Sequence, residues 1–283
     1  MISYDRRRPT QRPRATLRRR PGLAPALLLA AGLAASGCAP RVIGHGPSVT
    51  TPRLDLTGPA SGRFVAADGY VMAVRVWRPK DRPKAVVIGL HGMNDYSFSF
   101  DLPGRAWAKR GIVTYAYDQR GFGGNAKKGL WPGADALVGD LRSFVRLIRT
   151  RHPDLPIHVT GVSMGAGVVM AALDGKGVPE IEGAILVAPA VWGRATIPLA
   201  YRIPLTLSAY TIPAYRLSGR GIRRQPTDNL AAWRATAYDP KVIKGARVDA
   251  LWGVVNVMDR AYAAAPRLSK PVLLLYGARD EII

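Results

Sequence analysis

Residues 161–165 read Gly-Val-Ser-Met-Gly, the pattern G-x-S-x-G. A strand-like run, "PIHVTGVS", leads to Ser163, and a run of small residues, "MGAGVVMAALDG", follows it. A serine on a tight strand-to-helix turn is lifted clear of the sheet, and the flanking glycines leave the room such a turn needs. Ser163 then sits at a helix N-terminus, whose partial positive charge favours a developing anion. Acyl transfer also requires donors for an oxyanion. The N–H of Met164, next after the nucleophile, is one. The loop "LHGMND" after the strand "AVVIG" offers the other: Gly92 permits a sharp turn that aims the Met93 N–H inward. His91 precedes the serine and reads as a structural part of this loop.

These groups need a sheet to hold them. From residue 84 onward, apolar runs alternate with longer stretches of helical period. "KAVVIGLHG", "IVTYAYD", "PIHVTGVS" and "IEGAILVAP" read as strands, "LPGRAWAKRG" and the run after Ser163 as helices. Residues 134–151 place Leu137, Leu141, Phe144, Val145 and Ile148 on one helical face. This alternation implies an α/β fold, a mostly parallel sheet with helices on both faces. Ahead of it, "RFVAADGYVMAVRVWRP" has two alternating runs around Asp68-Gly69, a hairpin pattern. Residues 190–265 break the rhythm, show no clear strand, and read as an inserted cap. Residues 194–247 hold ten basic residues and two acidic ones, Asp228 and Asp239. The pattern resumes with "PVLLLYG", read as a buried strand, with Asp280 just past its tip.

Four segments thus occur in order: "HGMND", "DQRGFGGN", "GVSMG" and "PVLLLYGARD". With them, residues 60–283 resemble the α/β-hydrolases of the monoacylglycerol lipase and lysophospholipase group, also called serine aminopeptidase-like. The resemblance implies Ser163 as nucleophile, Met93 and Met164 as oxyanion donors, and Asp280 as the triad acid. Asp118 and Arg120 match a segment that shapes the loop beside the site; they read as structural, since a triad needs only serine, acid and base. The histidine of such a triad follows the acid in chain order. The sequence closes at Ile283, and its four histidines, His45, His91, His152 and His158, read as surface or packing residues. The final strand and histidine segment are therefore expected to be absent, the chain being a fragment or a truncated hydrolase.

The N-terminus speaks to location. The first twenty residues carry eight Arg and one Asp, and the uncharged run "PGLAPALLLAAGLAASGCAP" follows. A basic start, a short apolar core and small residues make an export signal over residues 1–37. That core is short of the roughly 20 apolar residues of a membrane span. The sole cysteine, Cys38, closes "AASGC", which resembles the lipobox of bacterial lipoproteins and implies a lipidated Cys38. Residues 38–62, rich in Pro, Gly, Ser and Thr, read as a flexible tether, and 63–283 as the domain. One cysteine excludes an internal disulfide framework. The net charge is +22; removing residues 1–37 leaves 33 basic and 18 acidic residues, or +15. That surplus, with Arg220, Arg223 and Arg224 in the cap, favours anionic lipid. Nucleic acid is excluded as a partner by the export signal and the lack of a reading motif. No metal cluster or phosphate loop is visible, so no cofactor is expected. The expected function is serine hydrolysis of lipid esters, monoacylglycerol or lysophospholipid, by a membrane-anchored lipoprotein of the bacterial envelope, crippled by the missing histidine. The alternatives are a hydrolase acting on another ester, peptide or acyl acceptor, and a non-catalytic binding module on the same fold.

Overall fold

The computed structural model describes residues 39–175, 177–218 and 227–280. Cys38 and the cap arginines 220, 223 and 224 lie outside them. The hairpin forms around Gly69, pairing β2 (Ser61–Val65) with β3 (Val71–Trp77) through Val65 and Val71. The apolar runs become β4 (Ala85–Leu90), β5 (Ile112–Tyr117), β6 (Ile157–Val162) and β7 (Gly183–Val187). With β1 (Arg53–Asp55) and β10 (Val272–Leu275) they make one sheet in the order β1-β2-β3-β5-β4-β6-β7-β10. Strands β5, β4, β6, β7 and β10 are parallel to their neighbours in that series; β1, β2 and β3 are antiparallel additions.

The helices cover this sheet through their apolar stripes. They are α1 (Asp101–Ala108), α2 (Ala134–Arg151) and α3 (Met164–Ala172). On α2 the five residues of the expected stripe are each 0–1% exposed. Fully burying a side chain of that size stabilises by about 1.5–3 kcal/mol, so the stripe fixes the rotation of α2. The later part of the chain adds α4 (Leu199–Thr211), α5 (Leu230–Tyr238) and α6 (Val248–Ala264). Helix α6 buries Val254, Val257 and Ala261, and Val257 lies against Gly167 of α3. Between β7 and α6 a short antiparallel pair forms, β8 (Arg216–Ser218) with β9 (Gly245–Arg247). Strands of three residues are too short to show an alternating pattern, which is why the sequence gives no sign of them.

Two expectations change. Strand β10 forms where foreseen but is not buried: its residues are 38–59% exposed, because it is the last strand of the sheet and no described element covers it. The stretch read as a flexible tether is docked from Ile43 onward. Ile43 N–H donates to the Trp131 carbonyl at 2.8 Å, Gly44 N–H to that of Pro132 at 3.1 Å, and Val49 N–H to that of Ala67 at 2.8 Å. Residues 53–55 then enter the sheet as β1.

The docked strap has a polar anchor. His45 Nε2 lies 3.2 Å from Asp140 Oδ1, and Gly46 N–H donates to Asp68 Oδ2 at 3.0 Å. Both carboxylates also hold Arg120, which is 1% exposed. Its Nη1 and Nη2 donate to Asp68 at 2.7 and 2.9 Å, its Nε and Nη2 to Asp140 at 2.5 and 3.0 Å. The Tyr70 ring lies 4.5 Å below the guanidinium. Burial by itself would push the Asp68 carboxyl up. The Arg120 guanidinium and the N–H groups of Gly46 and Tyr70 outweigh it and hold Asp68 well below the usual carboxylate range.

A buried charge stripped of its partner is expensive, about 3–5 kcal/mol for a pair of this kind. Arg120→Met is expected to lower unfolding stability by that order in urea titrations at pH 7. Because the folded-state pKa of Asp68 is depressed, its contribution is full above the ordinary carboxylate range and is lost as pH falls. The gap between wild type and variant is therefore expected to narrow toward acid. A gap that is small at pH 7 or that widens in acid contradicts this role.

Candidate active site

Strand β6 ends at Val162 and α3 begins at Met164, so Ser163 alone makes the turn. Its backbone lies at φ 51°, ψ −117°, a region that costs a non-glycine residue of order 1–3 kcal/mol. The turn is tight enough to forbid side chains on either side. A Cβ on Gly161 would meet the Ala166 nitrogen at 2.5 Å, and one on Gly165 would meet the Leu90 carbonyl oxygen at 2.3 Å. Ser163 N–H donates to the Val187 carbonyl at 2.9 Å, and its own carbonyl accepts from Gly167 and Ala190, both at 3.1 Å. The strained residue is thereby pinned to β7 and to the loop that follows it.

The loop after β4 stands beside the serine: a Cβ on Gly92 would come 3.6 Å from Ser163 Cβ. Met93 packs its side chain on the core, and Met164 is fully buried at the head of α3. The structure thus brings Ser163, Met164 and the Gly92-Met93 peptide together. His91 is fully buried and both ring nitrogens are committed. Gln119 N–H donates to Nε2 at 2.9 Å, so Nε2 carries no proton and Nδ1 donates to the Gly92 carbonyl at 2.8 Å. Burial pushes the His91 pKa down, in keeping with this neutral form. The ring serves the loop, as the sequence implied.

Gln119 is the residue that sequence reasoning missed. Besides receiving His91 through its N–H, its Nε2 donates to the His91 carbonyl at 2.8 Å, so it clamps the loop at two points. Its neighbours fix its own segment. Asp118 accepts from Ser97 N–H and Oγ at 3.0 and 2.6 Å and from Gly124 N–H at 3.0 Å, and Asn125 Nδ2 donates to the Asp118 carbonyl at 2.6 Å. The stretch read as a cap is bonded to the same loop: Tyr96 Oη donates to Asp239 at 2.5 Å, and Ile243 N–H donates to the Asn94 carbonyl at 2.9 Å. Burial raises the Asp95 pKa, which favours its neutral form two residues from Met93.

Asp280 follows β10 and donates its N–H to the Gly277 carbonyl at 3.1 Å. Strands β6, β7 and β10 are neighbours in that order, so Ser163 and Asp280 leave the same end of the sheet two strands apart. At about 4.8 Å per strand that is roughly 10 Å between the two strands. The four histidines lie elsewhere or are occupied. His45 is on Asp140, His91 is clamped by Gln119, His152 Nε2 lies 2.9 Å from Tyr115 Oη, and His158 stands near the far end of β6. Among the described residues no group of three His, Cys, Asp or Glu is placed to share a metal ion.

A family model described as serine aminopeptidase, S33, matches residues 81–283. A monoacylglycerol lipase of Mycolicibacterium smegmatis is 30% identical over 229 residues, spanning 78% of this chain and 79% of that protein. A monoglyceride lipase of Rattus norvegicus is 25% identical over 224 residues, 77% and 73% of the two chains. The crystal structure of the Paleococcus ferrophilus monoacylglycerol lipase superposes with a TM-score of 0.57 over 73% of this chain and 77% of its own, at 21% identity, a likeness of fold. The strand-serine-helix turn, the loop beside it and these matches agree: the chain belongs to the serine aminopeptidase S33 family, among the α/β-hydrolases of the monoacylglycerol lipase group.

Proposed function

We propose that this chain hydrolyses carboxylic esters of lipids, monoacylglycerols or lysophospholipids, through an acyl-enzyme on Ser163. The observation that carries the reading is the Ser163 backbone, a strained non-glycine turn at the head of a helix with the Gly92-Met93 loop against it. Strain of this kind persists only where packing over-determines it, and it clusters at reactive sites. The relatives named as monoacylglycerol lipases support the substrate class.

In this reading Ser163 Oγ attacks the ester carbonyl carbon and passes its proton to a base. The N–H groups of Met93 and Met164 stabilise the oxyanion. Collapse expels the alcohol, which takes the proton from the base; water then cleaves the acyl-enzyme. Asp280 orients the base and steadies its positive charge. His45, His91 and His152 are bound elsewhere and His158 stands near the far end of β6, so none of the four is placed to be that base, and we infer that these 283 residues by themselves are crippled. The same observation favours a second reading, a non-catalytic binding module on the hydrolase fold. We further propose that Cys38 carries lipid and anchors the protein in the bacterial envelope. Among the described residues no helix is long and apolar enough to cross a membrane.

The first expectation is kinetic. On a short-chain p-nitrophenyl ester and a monoacylglycerol, the 283-residue chain is expected to show at most trace turnover above its Ser163→Ala variant. A folded site without one triad member retains only about 10³–10⁴-fold over water. A chain extended by a strand and a histidine segment is expected to turn over in a Ser163-dependent way. Full turnover by the shorter chain sinks the crippled state, and inertness of both favours the binding module. The second concerns location. Cys38→Ser is expected to move the protein from the membrane fraction to the soluble one, since two or more acyl chains anchor stably and none does not. Unchanged fractionation contradicts lipidation.

A further inference from the structure

The strap ties two elements together and buries nothing of its own. Ile43 and Gly44 bond the loop that enters α2, while Val49 N–H and Thr50 N–H both donate to the Ala67 carbonyl at the hairpin turn, at 2.8 and 3.0 Å. Between these bonds His45 lies on Asp140 of α2 and Gly46 on Asp68 of the hairpin. No residue from 41 to 50 is buried, and Val42 and Val49 are 56% and 70% exposed. A segment held by hydrogen bonds without apolar burial opens at far lower free energy than the core. The strap is thus able to peel from the domain while the sheet stays closed. Arg53, the first residue of β1, sets the limit of the peel.

The surface under the strap is shaped for it. Gly139 stands inside α2, where glycine is the least favourable residue after proline. A Cβ there would meet the His45 ring at 2.7 Å, and one on Gly133 would meet Val42 at 2.8 Å. What lies beneath leads to the site. Asp68 and Asp140, with side chains 7% and 2% exposed, hold Arg120 between them. Removing the strap takes a partner from each carboxylate and opens the three charges to water. Arg120 follows Gln119, whose N–H and Nε2 hold His91, and His91 Nδ1 holds the Gly92 carbonyl. Met93 is next in the chain.

We propose that the strap is a latch on the Gly92-Met93 loop. Docked, it holds Arg120 and, through Gln119 and His91, the loop beside Ser163; peeled, it lets that loop loosen. Strap docked and strap free are the two discrete arrangements that such coupling requires. The peel also changes reach. Five residues lead from Cys38 to Ile43, at most about 18 Å of extended chain, and fifteen lead to Arg53, at most about 54 Å. A domain anchored at Cys38 therefore keeps its latch close to the anchor and loses it when drawn farther away. The reach rests on the lipidation of Cys38 proposed above; the latch does not, and it needs no turnover.

Amide hydrogen exchange on the 283-residue chain, read peptide by peptide, tests the latch. Gly139→Leu fills the seat of the His45 ring and leaves the strap sequence intact. A second variant replaces residues 41–50 by a Gly-Ser run of equal length and has no strap to dock. His45→Gln, whose amide donates to Asp140 from the place of Nε2, is the conservative control. In Gly139→Leu, exchange in residues 41–50 is expected to quicken about tenfold. In both disruptive variants residues 91–97 and 119–125 are expected to quicken several-fold, with α1 and β7 at parental rates and His45→Gln like the parent. The chain has four histidines, so nitrogen-15 labelling of them gives a second readout. The His91 ring signal is expected to shift or broaden in both disruptive variants while that of His152 stays. Quickening confined to 41–50 in Gly139→Leu, with the His91 signal unmoved, overturns the latch. If Gly139→Leu leaves the strap protected, the replaced strap decides: unchanged exchange in 91–97 overturns the proposal, and quickening there upholds it. A rise shared by α1 and β7 is general destabilisation and overturns it as well. A chain inert toward esters that still shows the coupled exchange keeps the latch and loses the hydrolase reading.

Discussion

The backbone of Ser163 is the constraint around which the rest is arranged. Holding φ at 51° costs free energy that the turn cannot recover by itself. It is offset by close packing on every side: β7 accepts the serine N–H, two N–H groups meet its carbonyl, and Leu90 and His91 press on Gly165 so closely that a methyl group has no place. The sheet order β4-β6-β7 is what makes those contacts possible, since β6 must lie between the strand that brings the Gly92-Met93 loop and the strand that receives the serine N–H.

The loop beside the serine is held just as firmly, from farther away. His91 fixes Gly92, Gln119 fixes His91, and Asp118 and Asn125 fix the segment that carries Gln119. Arg120, next in sequence, is sunk between Asp68 and Asp140. One tight segment thus joins the hairpin turn, α2 and the Gly92-Met93 loop. The N-terminal strap completes the same network through His45 and Gly46, so the part of the chain nearest the proposed anchor is built into the scaffold of the site.

Residues with local signals were legible in the sequence. The elbow showed itself because its glycines and its strand and helix are contiguous, and α2 because five apolar residues repeat at helical spacing. The hairpin showed itself in Asp68-Gly69. What stayed hidden depends on partners distant in the chain. Gln119 carries no local signal in "DQRGFGGN", and its clamp on His91 spans 28 positions. The strap was rich in Pro and Gly and read as free, yet its N–H groups find carbonyls about 90 residues away at Trp131 and Pro132. Its anchor, His45, reaches Asp140 across 95 positions. The exposure of β10 was hidden too, because an apolar strand reads the same at a sheet edge as inside it.

The proposed role of Ser163 is that of a nucleophile in want of a base, and a small base added in solution tests that most directly. Imidazole titrated into the 283-residue chain with a p-nitrophenyl ester should raise turnover above the Ser163→Ala background and saturate as it binds beside Ser163. Asp280→Ala should weaken that rescue. Turnover that is high before imidazole is added, or that rises equally in the Ser163→Ala variant, contradicts the account.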